Sequence, residues 1–117
     1  MVEASAGGKT GLGYTYGHSS AAAVVRDKLG DVVRGRSAMS PELCYWELVR
    51  AVRNMGREGI ASTAISAIDL ALWDLKGKLL DLPVVTLLGQ VQDEVQIYGS
   101  GGFTSYSIPE LQAQLAG

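Results

Sequence analysis

The sequence predicts an α+β fold in which a β-hairpin comes first, a bundle of helices follows, and a βα unit ends the chain. Three observations carry this prediction. Residues 2 to 16 alternate around a pair of glycines, residues 60 to 80 repeat apolar side chains every three and four positions, and residues 94 to 117 have the pattern of a strand, a glycine-rich loop and a helix. The 117 residues suffice for one compact domain with its own core.

The hairpin is predicted over residues 2 to 16. VEASA alternates, the turn GGKTG contains Gly7 and Gly8, which tolerate positive φ, and the return strand LGYTY is rich in residues that favour strands. A lone hairpin is only marginally stable in water. We therefore expect it to lie on another part of the chain.

Two helices are predicted after the hairpin. Ser19 or Ser20 is placed to cap the first helix, which runs through AAAVVRDKLGDVV and is weakened near its end by Gly30. The Ser-Pro pair at residues 40 and 41 predicts the start of the second helix, which continues to about Asn54. The apolar positions of this second helix recur at three and four and predict one buried stripe, formed by Tyr45, Leu48, Val49, Val52 and Met55.

A row of basic residues accompanies the second helix at helical spacing, namely Arg50, Arg53 and Arg57. Such a row is usually a solvated face. The alternative is an ion-paired contact with a further part of the protein or with another subunit.

The third helix is predicted from about Ile60 to Leu80, where the periodicity is cleanest. One face is apolar throughout, with Ala61, Ala64, Ile65, Ile68, Ala71, Leu72, Leu75 and Leu79. Because many side chains on and beside this face are small, we expect a neighbouring helix or sheet to approach closely. Asp74 and Lys78 form an i,i+4 pair in the favourable order. Both Asp69 and Asp74 are interpreted as structural carboxylates.

The last part of the sequence changes character. Pro83 to Gly89 is typical of one short helical turn closed by a glycine. EVQIY at residues 94 to 98 predicts a strand, residues 99 to 103 a glycine-rich loop, and Ser107 with Glu110 a capping box that opens a helix. A single βα unit cannot bury both faces of its strand alone.

Composition narrows the classes of partner and compartment. A net charge of −2 gives no reason to expect a nucleic acid or an anionic membrane as partner. No apolar run is long enough to span a bilayer and the first residues lack the features of a signal peptide, so we expect a cytoplasmic protein. The single cysteine, Cys44, cannot form an internal disulfide and is interpreted as a small buried helix residue.

Many spaced positions of the segment from residue 64 to 89 fit one known signature. They are Ala64, Ser66, Ala67, Ile68, Asp69, Ala71, Asp74, Leu75, Gly77, Lys78, Pro83, Val84, Leu87, Leu88 and Gly89. Together they resemble the mandelate racemase and muconate lactonizing enzymes of the enolase superfamily. The resemblance implies that residues 1–90 are most of an N-terminal capping domain and that residues 91–117 are the first strand and the start of the first helix of a (β/α)8 barrel. Such a barrel takes about 250 residues, and the resemblance implies further strands and a flexible loop before the hairpin. We therefore expect a fragment that is cut at both ends.

The resemblance also implies a reaction. Enzymes of this family remove a proton from the carbon next to a carboxylate, with Mg²⁺ as cofactor. Their base and acidic metal ligands come from later barrel strands, so no catalytic residue and no metal ligand is assigned in this sequence. The implied function is that of a fragment, inactive by itself, of a racemase or dehydratase that acts on a small carboxylate such as an acid sugar or a hydroxy acid.

Four residues are expected, from the resemblance, to line the substrate pocket of the parent enzyme. Tyr16 and His18 lie in the loop after the hairpin, which matches by position a family loop that closes over the barrel mouth. Ser100 and Gly101 follow the first barrel strand, at the end where barrel active sites are built. Plainer roles stay open, since a lone histidine is more often a surface or helix-start residue and a glycine there can simply serve the turn.

Two other classes of function compete with this interpretation. GSGGFT between a strand and a helix favours a phosphate- or nucleotide-binding module, but a GxGxxG fingerprint would need glycine at Thr104, and the sequence has no GK[ST]. The other class is a structural or oligomerising piece, because a cap without its barrel exposes apolar helix faces. For the parent enzyme we expect a homo-oligomer.

Overall fold

The structure, a computed structural model, describes residues 1–99 and 101–116. It begins with a two-stranded antiparallel sheet and continues with helices. The elements are β1 (Val2–Ala6), β2 (Lys9–Gly13), α1 (Ser20–Val24), a π-helical segment (Val25–Leu29), α2 (Gly30–Val33), α3 (Pro41–Ala51), α4 (Ile60–Leu80), α5 (Val84–Leu88) and α6 (Ile108–Leu115). This order confirms the predicted α+β fold of a hairpin followed by helices.

The hairpin turns within two residues. Gly7 and Gly8 have φ of +55° and +73°, and the type I′ turn that suits a two-residue hairpin requires positive φ at both positions. Pairing resumes directly after the turn, at Lys9, and ends at Gly13. The prediction of a return strand over residues 12 to 16 is therefore wrong at both ends, because the shorter turn moves the strand towards the N-terminus.

The first predicted helix contains a π-helical turn. α1, the segment Val25–Leu29 and α2 follow one another directly. The backbone N–H of Gly30 donates to the carbonyl oxygen of Val25, and a Cβ on Gly30 would lie 3.1 Å from that same oxygen. Gly30 thus permits the wider turn, whereas the sequence pattern predicts an uninterrupted α-helix weakened by this glycine.

α3 ends earlier than predicted. The backbone leaves the regular helical conformation at Val52, with φ of −97° and ψ of 4°. Met55 therefore does not continue the buried face of the helix, and its side chain is exposed. The prediction that the helix continues to Asn54 and buries Met55 is wrong for this reason. The buried face of α3 consists of Pro41, Cys44 and Leu48, which confirms Cys44 as a small buried helix residue.

α4 runs from Ile60 to Leu80, as predicted, and lies at the centre of the core. Its buried residues include most of the predicted apolar face, namely Ala61, Ala64, Ile65, Ile68, Ala71, Leu72 and Leu75. The hairpin lies across the small residues of this helix, since a Cβ on Gly13 would lie 2.0 Å from the carbonyl oxygen of Ala67. The predicted close approach is confirmed, and the neighbour is the hairpin.

Asp74 and Lys78 join α4 to the free edge of β2. The backbone N–H of Leu12 donates to Asp74 Oδ2 over 2.7 Å, and Lys78 Nζ donates to the carbonyl oxygen of Thr10 over 2.9 Å. Lys78 Nζ also donates to Asp74 Oδ2 over 2.7 Å. The two side chains thus satisfy backbone groups on the strand edge that faces away from β1, which supports the interpretation of Asp74 as a structural carboxylate.

The chain leaves α4 by a left-handed turn. Asp81 has φ of 55° and ψ of 42°, and the N–H of Leu82 donates to the carbonyl oxygen of Gly77 over 2.9 Å. Pro83 then precedes α5, and Gly89 follows it with φ of +85°. The predicted short helical turn between Pro83 and Gly89 is confirmed.

The end of the chain contains a helix without the predicted strand. Residues 91–99 form no strand and are exposed. The strand predicted at residues 94 to 98 is absent here because a strand needs a neighbour with which it shares hydrogen bonds, and the sheet of the described residues contains β1 and β2 only. α6 does form. Across the described residues, no helix combines the length and the apolar character that crossing a membrane would take.

Candidate functional site

The loop between β2 and α1 contains two of the predicted site residues. Tyr16 is fully exposed, and His18 is exposed shortly before α1. β2 and α1 both pack on α4. The two ends of the loop are therefore held by the core, while the side chains of Tyr16 and His18 are accessible to a ligand.

The imidazole of His18 is bound by Ser20. The backbone N–H of Ser20 donates to His18 Nδ1 over 3.2 Å, and Ser20 Oγ lies 3.0 Å from the same nitrogen. The main chain of His18 is anchored as well, because its carbonyl oxygen accepts the N–H of Ala21 over 3.0 Å. Both the ring and the backbone of His18 are thus fixed to the first turn of α1.

A small cavity adjoins His18. Its volume is about 150 Å³, and it is lined by the end of the loop, by the N-terminal part of α1 and by Ala64 and Ala67 of α4. Pockets that enclose a small molecule usually measure about 300–1,000 Å³. The cavity by itself is therefore too small to enclose such a molecule. Tyr16 and Gly101 do not line it.

Gly101 lies in the other predicted site loop. A Cβ on Gly101 would lie 2.7 Å from Gln114 Oε1. The backbone N–H of Gly102 donates to the same oxygen over 3.0 Å. The side chain of Gln114 in α6 thus lies over the loop, and Gly101 leaves room for it because it has no side chain. The fourth predicted residue, Ser100, lies outside the described residues.

The N-terminus of α6 is occupied by its own side chains. Glu110 Oε2 accepts the backbone N–H of Ser107 over 2.8 Å, and Ser107 Oγ accepts the N–H of Glu110, so the predicted capping box is confirmed. The bond from the Ser107 N–H lowers the pKa of the Glu110 carboxyl, which therefore carries a negative charge at neutral pH. A carboxylate at the place where a phosphate would bind disfavours the phosphate-binding alternative.

The carboxylates of the described residues do not fit a Mg²⁺ site. This cation takes oxygen ligands, with waters completing an octahedron, but among residues 1–99 and 101–116 no three acidic, histidine or cysteine side chains come together. The pKa of Asp74 is lowered by its bond with Lys78 and by the Leu12 N–H. The pKa of Asp69 is raised by burial and by the charge of Glu42. Asp74 is thus accounted for by its contacts with Lys78 and Leu12.

The arginines at positions 50, 53 and 57 are all exposed, and Arg57 also contacts a side chain of α3. Arg57 Nη2 donates to the hydroxyl of Tyr45 over 2.7 Å, and the guanidinium lies 5.8 Å from the centre of the Tyr45 ring. Arg50 and Arg53 are exposed. Arg57, the last residue of this row, thus packs against Tyr45 of α3.

Ser20 is the site residue that sequence reasoning missed. From the sequence, Ser19 and Ser20 are both candidate helix caps; the structure places Ser19 at the cap position without a side-chain cap hydrogen bond, and the side chain of Ser20 contacts His18. The available signal was the spacing of a histidine two positions before a serine at a helix start. That spacing brings the N–H of the serine close to the ring only when the loop has this conformation.

The fold agrees with comparisons to known proteins. Residues 1–89 match the family model described as mandelate racemase / muconate lactonizing enzyme, N-terminal domain. The crystal structure of a mandelate racemase/muconate lactonizing enzyme-like protein from Rubrobacter xylanophilus is similar, with a TM-score of 0.83 and 50% sequence identity, over 97% of this chain and 32% of that chain.

Two curated relatives are similar in sequence. The L-rhamnonate dehydratase of Saccharopolyspora erythraea is 40% identical over 96 residues, which cover 81% of this chain and 25% of the relative. The 3,6-anhydro-alpha-L-galactonate cycloisomerase of Streptomyces coelicolor is 35% identical over 111 residues, which cover 92% of this chain and 31% of the relative. The chain thus spans between a quarter and a third of the length of these relatives. It belongs to the mandelate racemase and muconate lactonizing enzyme family of the enolase superfamily, by its match to the N-terminal domain.

Proposed function

We propose that this chain is the N-terminal part of a dehydratase or cycloisomerase that acts on a sugar acid. The observation that carries the proposal is the joint match of residues 1–89 to the family's N-terminal domain and of most of the chain to two enzymes named for sugar carboxylates. L-rhamnonate and 3,6-anhydro-L-galactonate both have a hydrogen on the carbon next to the carboxylate. The proposed reaction begins with removal of that proton.

In this proposal the catalytic base and the metal ligands lie in the rest of the enzyme, outside these 117 residues. The reaction needs a base at the substrate carbon and, in this superfamily, Mg²⁺. The described carboxylates do not fit that ion. Residues 1–90 serve as the cap and residues 91–117 as the first strand and helix of the barrel, so the isolated chain is inactive.

The exposed segment before α6 supports its assignment to a barrel. The side chains of Val95, Ile97 and Tyr98 are 65%, 87% and 90% exposed. A strand of a parallel barrel is buried on both faces and is rich in such residues. Val95, Ile97 and Tyr98 would lose this exposure between neighbouring strands of the complete enzyme.

The loop of Tyr16 and His18 would form part of the substrate pocket. Both side chains are accessible, and His18 adjoins the small cavity on the loop side of α4. In the proposal this loop closes over the barrel mouth together with Ser100 and Gly101, and His18 binds an oxygen of the substrate. The cap then contributes to substrate selection and supplies no catalytic residue.

The experiment is to express the complete reading frame that contains this chain and to assay it on L-rhamnonate and 3,6-anhydro-L-galactonate. In D2O, exchange of the hydrogen next to the carboxylate is followed by NMR, and loss of one water by mass spectrometry. We expect exchange or loss of water with at least one of the two sugar acids, its abolition by EDTA and its recovery with Mg²⁺. A folded protein that neither exchanges this hydrogen nor converts either sugar acid would contradict the proposal.

A structural role through self-association is the second candidate. Leu43 and Trp46 are 54% and 55% exposed on the outer face of α3, and such apolar side chains favour burial by about 25 cal/mol per Å². Sedimentation of the same protein and of a Trp46→Glu variant tests this role. A dimer that the substitution dissociates would support it, and a monomer in both would exclude it.

A further inference from the structure

We infer that Ser20 is a positioning residue that fixes His18 as a hydrogen-bond donor, through Nε2, towards an oxygen of the ligand. The inference deepens the proposed function and rests on it in one respect, namely that the loop of His18 faces the substrate. The orientation and the tautomer of the ring follow from contacts within the chain and do not depend on that assumption.

The tautomer follows from the backbone contact. A main-chain N–H can only donate, and that of Ser20 points at His18 Nδ1 over 3.2 Å. Nδ1 must therefore accept, which requires that it carry no proton. In a neutral imidazole the proton then resides on the other nitrogen. Nε2 of His18 is thus an N–H donor.

The hydroxyl of Ser20 reinforces this arrangement. Ser20 Oγ lies 3.0 Å from Nδ1, and a hydroxyl can rotate its hydrogen towards a bare nitrogen. The carbonyl oxygen of His18 is bound by the N–H of Ala21 over 3.0 Å. With its backbone and Nδ1 both held, the ring has little freedom to turn Nδ1 outward.

The arrangement selects a class of ligand group. Because the accessible nitrogen Nε2 carries a hydrogen, it binds an acceptor, such as a carboxylate, a carbonyl or a hydroxyl oxygen, and not an ammonium group. A sugar acid presents acceptors along its whole length. Ser20 would therefore support the selection of hydroxylated carboxylates without touching the substrate.

The first experiment reads the tautomer directly. His18 is the single histidine of the 117 residues, so the chain labelled with ¹⁵N-histidine gives one set of ring signals. At about pH 9, where imidazole rings are neutral, we expect a proton-bearing Nε2 and a bare Nδ1. Ser20→Ala keeps the backbone N–H that donates to Nδ1 and should therefore keep this tautomer, but the loss of the hydroxyl bond should shift the signal of the bare Nδ1. Ser20→Thr, which retains a hydroxyl, should restore that signal.

Ser19→Ala is the matched control, because Ser19 is the adjacent residue and the hydrogen bonds found for His18 do not involve its side chain. It should leave the ring signals unchanged. A proton on Nδ1 in the unaltered chain would overturn the inference, and so would a Ser20→Ala spectrum identical to that of the unaltered chain. Circular dichroism of each variant establishes that it is folded.

The second experiment separates this inference from the proposed function. In the complete enzyme with its best sugar acid, Ser20→Ala should raise KM about threefold to tenfold and leave kcat within about twofold, as expected for lost binding energy of one oriented hydrogen bond. A shifted Nδ1 signal with an unchanged KM would refute the role of Ser20 in substrate binding. An inactive parent enzyme would refute the proposed function, while the spectra would still decide the tautomer.

Discussion

A Cβ atom on Gly11 would lie 2.2 Å from the carbonyl oxygen of Ala71 and 2.3 Å from the backbone nitrogen of Leu75. Strand β2 therefore contacts α4 backbone to backbone at this point. The neighbouring atoms belong to the main chain of a helix, so they cannot turn aside as the end of a flexible side chain could. The separation of hairpin and helix is set by the missing side chain of Gly11.

Gly11→Ala should consequently destabilise the chain. The added methyl group has to displace either the strand or the helix, and overpacking of this kind costs about 3 kcal/mol. Urea unfolding followed by circular dichroism measures the loss. Gly17→Ala is the control, because no atom lies within 4 Å of the added Cβ, and it should unfold at nearly the same urea concentration. Equal stability of the two variants would show that strand and helix are not in contact at Gly11.

Asp74→Ala should lower the free energy of unfolding by about 1–2 kcal/mol at neutral pH, because the Leu12 N–H and Lys78 lose their acceptor. The same bonds lower the pKa of the Asp74 carboxyl from its ordinary value of 3.8. A carboxyl with a lowered folded-state pKa stabilises the fold above its unfolded-state pKa and loses this effect as the pH falls through the folded-state value.

The loss caused by Asp74→Ala should therefore shrink as the pH falls below 3.8. Urea unfolding of the variant and the unaltered chain between neutral and acid pH gives the difference. Asp93→Ala provides a comparison, since Asp93 is exposed and accepts a bond from the Gln90 side chain. A difference that is the same at all pH values would mean that the charge of Asp74 does not contribute.

The parts of the fold that the sequence predicts well depend on neighbours in the chain. α4 follows from its own periodicity, and the capping box of α6 joins Ser107 to Glu110 within one turn. The errors concern interactions over longer range. The strand expected at residues 94 to 98 needs a partner strand, and the position of β2 depends on a turn whose length the alternating pattern leaves open.

In the candidate site, too, some features follow from the sequence and others depend on the folded conformation. His18 is predicted because its loop resembles a family loop by position, and the structure shows its side chain exposed beside a cavity. The contact of Ser20 with the ring depends on the backbone conformation of that loop, which no pattern of residue types specifies. Gly101 is predicted for the substrate pocket, and the structure adds that Gln114 covers it.

Asp69→Asn should stabilise the chain at neutral pH. Burial raises the pKa of the Asp69 carboxyl, and the charge of Glu42 raises it further. The ionised form is thus penalised in the folded state at pH above the raised pKa, and the penalty vanishes below the ordinary value of 3.8.

We expect Asp69→Asn to gain about 0.5 kcal/mol at neutral pH, a small figure because the side chain is partly exposed to screening solvent. The gain should disappear at acid pH, and Glu42→Gln should give a smaller gain in the same direction. Urea unfolding at the two pH values measures both. A loss of stability in Asp69→Asn at neutral pH would reveal a favourable partner of the carboxylate.

Removal of residues 91–117 should leave the stability of the remainder nearly unchanged. α6 contacts none of the other helices or strands in the described part of the chain, so its loss should move Tm by no more than about 1–2 °C. A chain that ends at Leu82 should behave differently, because it lacks α5, whose Val84 packs against Gly77 of α4. Loss of about 1 kcal/mol from that contact corresponds to about 4–8 °C for a domain of this size. Calorimetry of the two truncated chains therefore tests the boundary at residue 90, and a large drop in Tm on removal of residues 91–117 alone would place the boundary elsewhere.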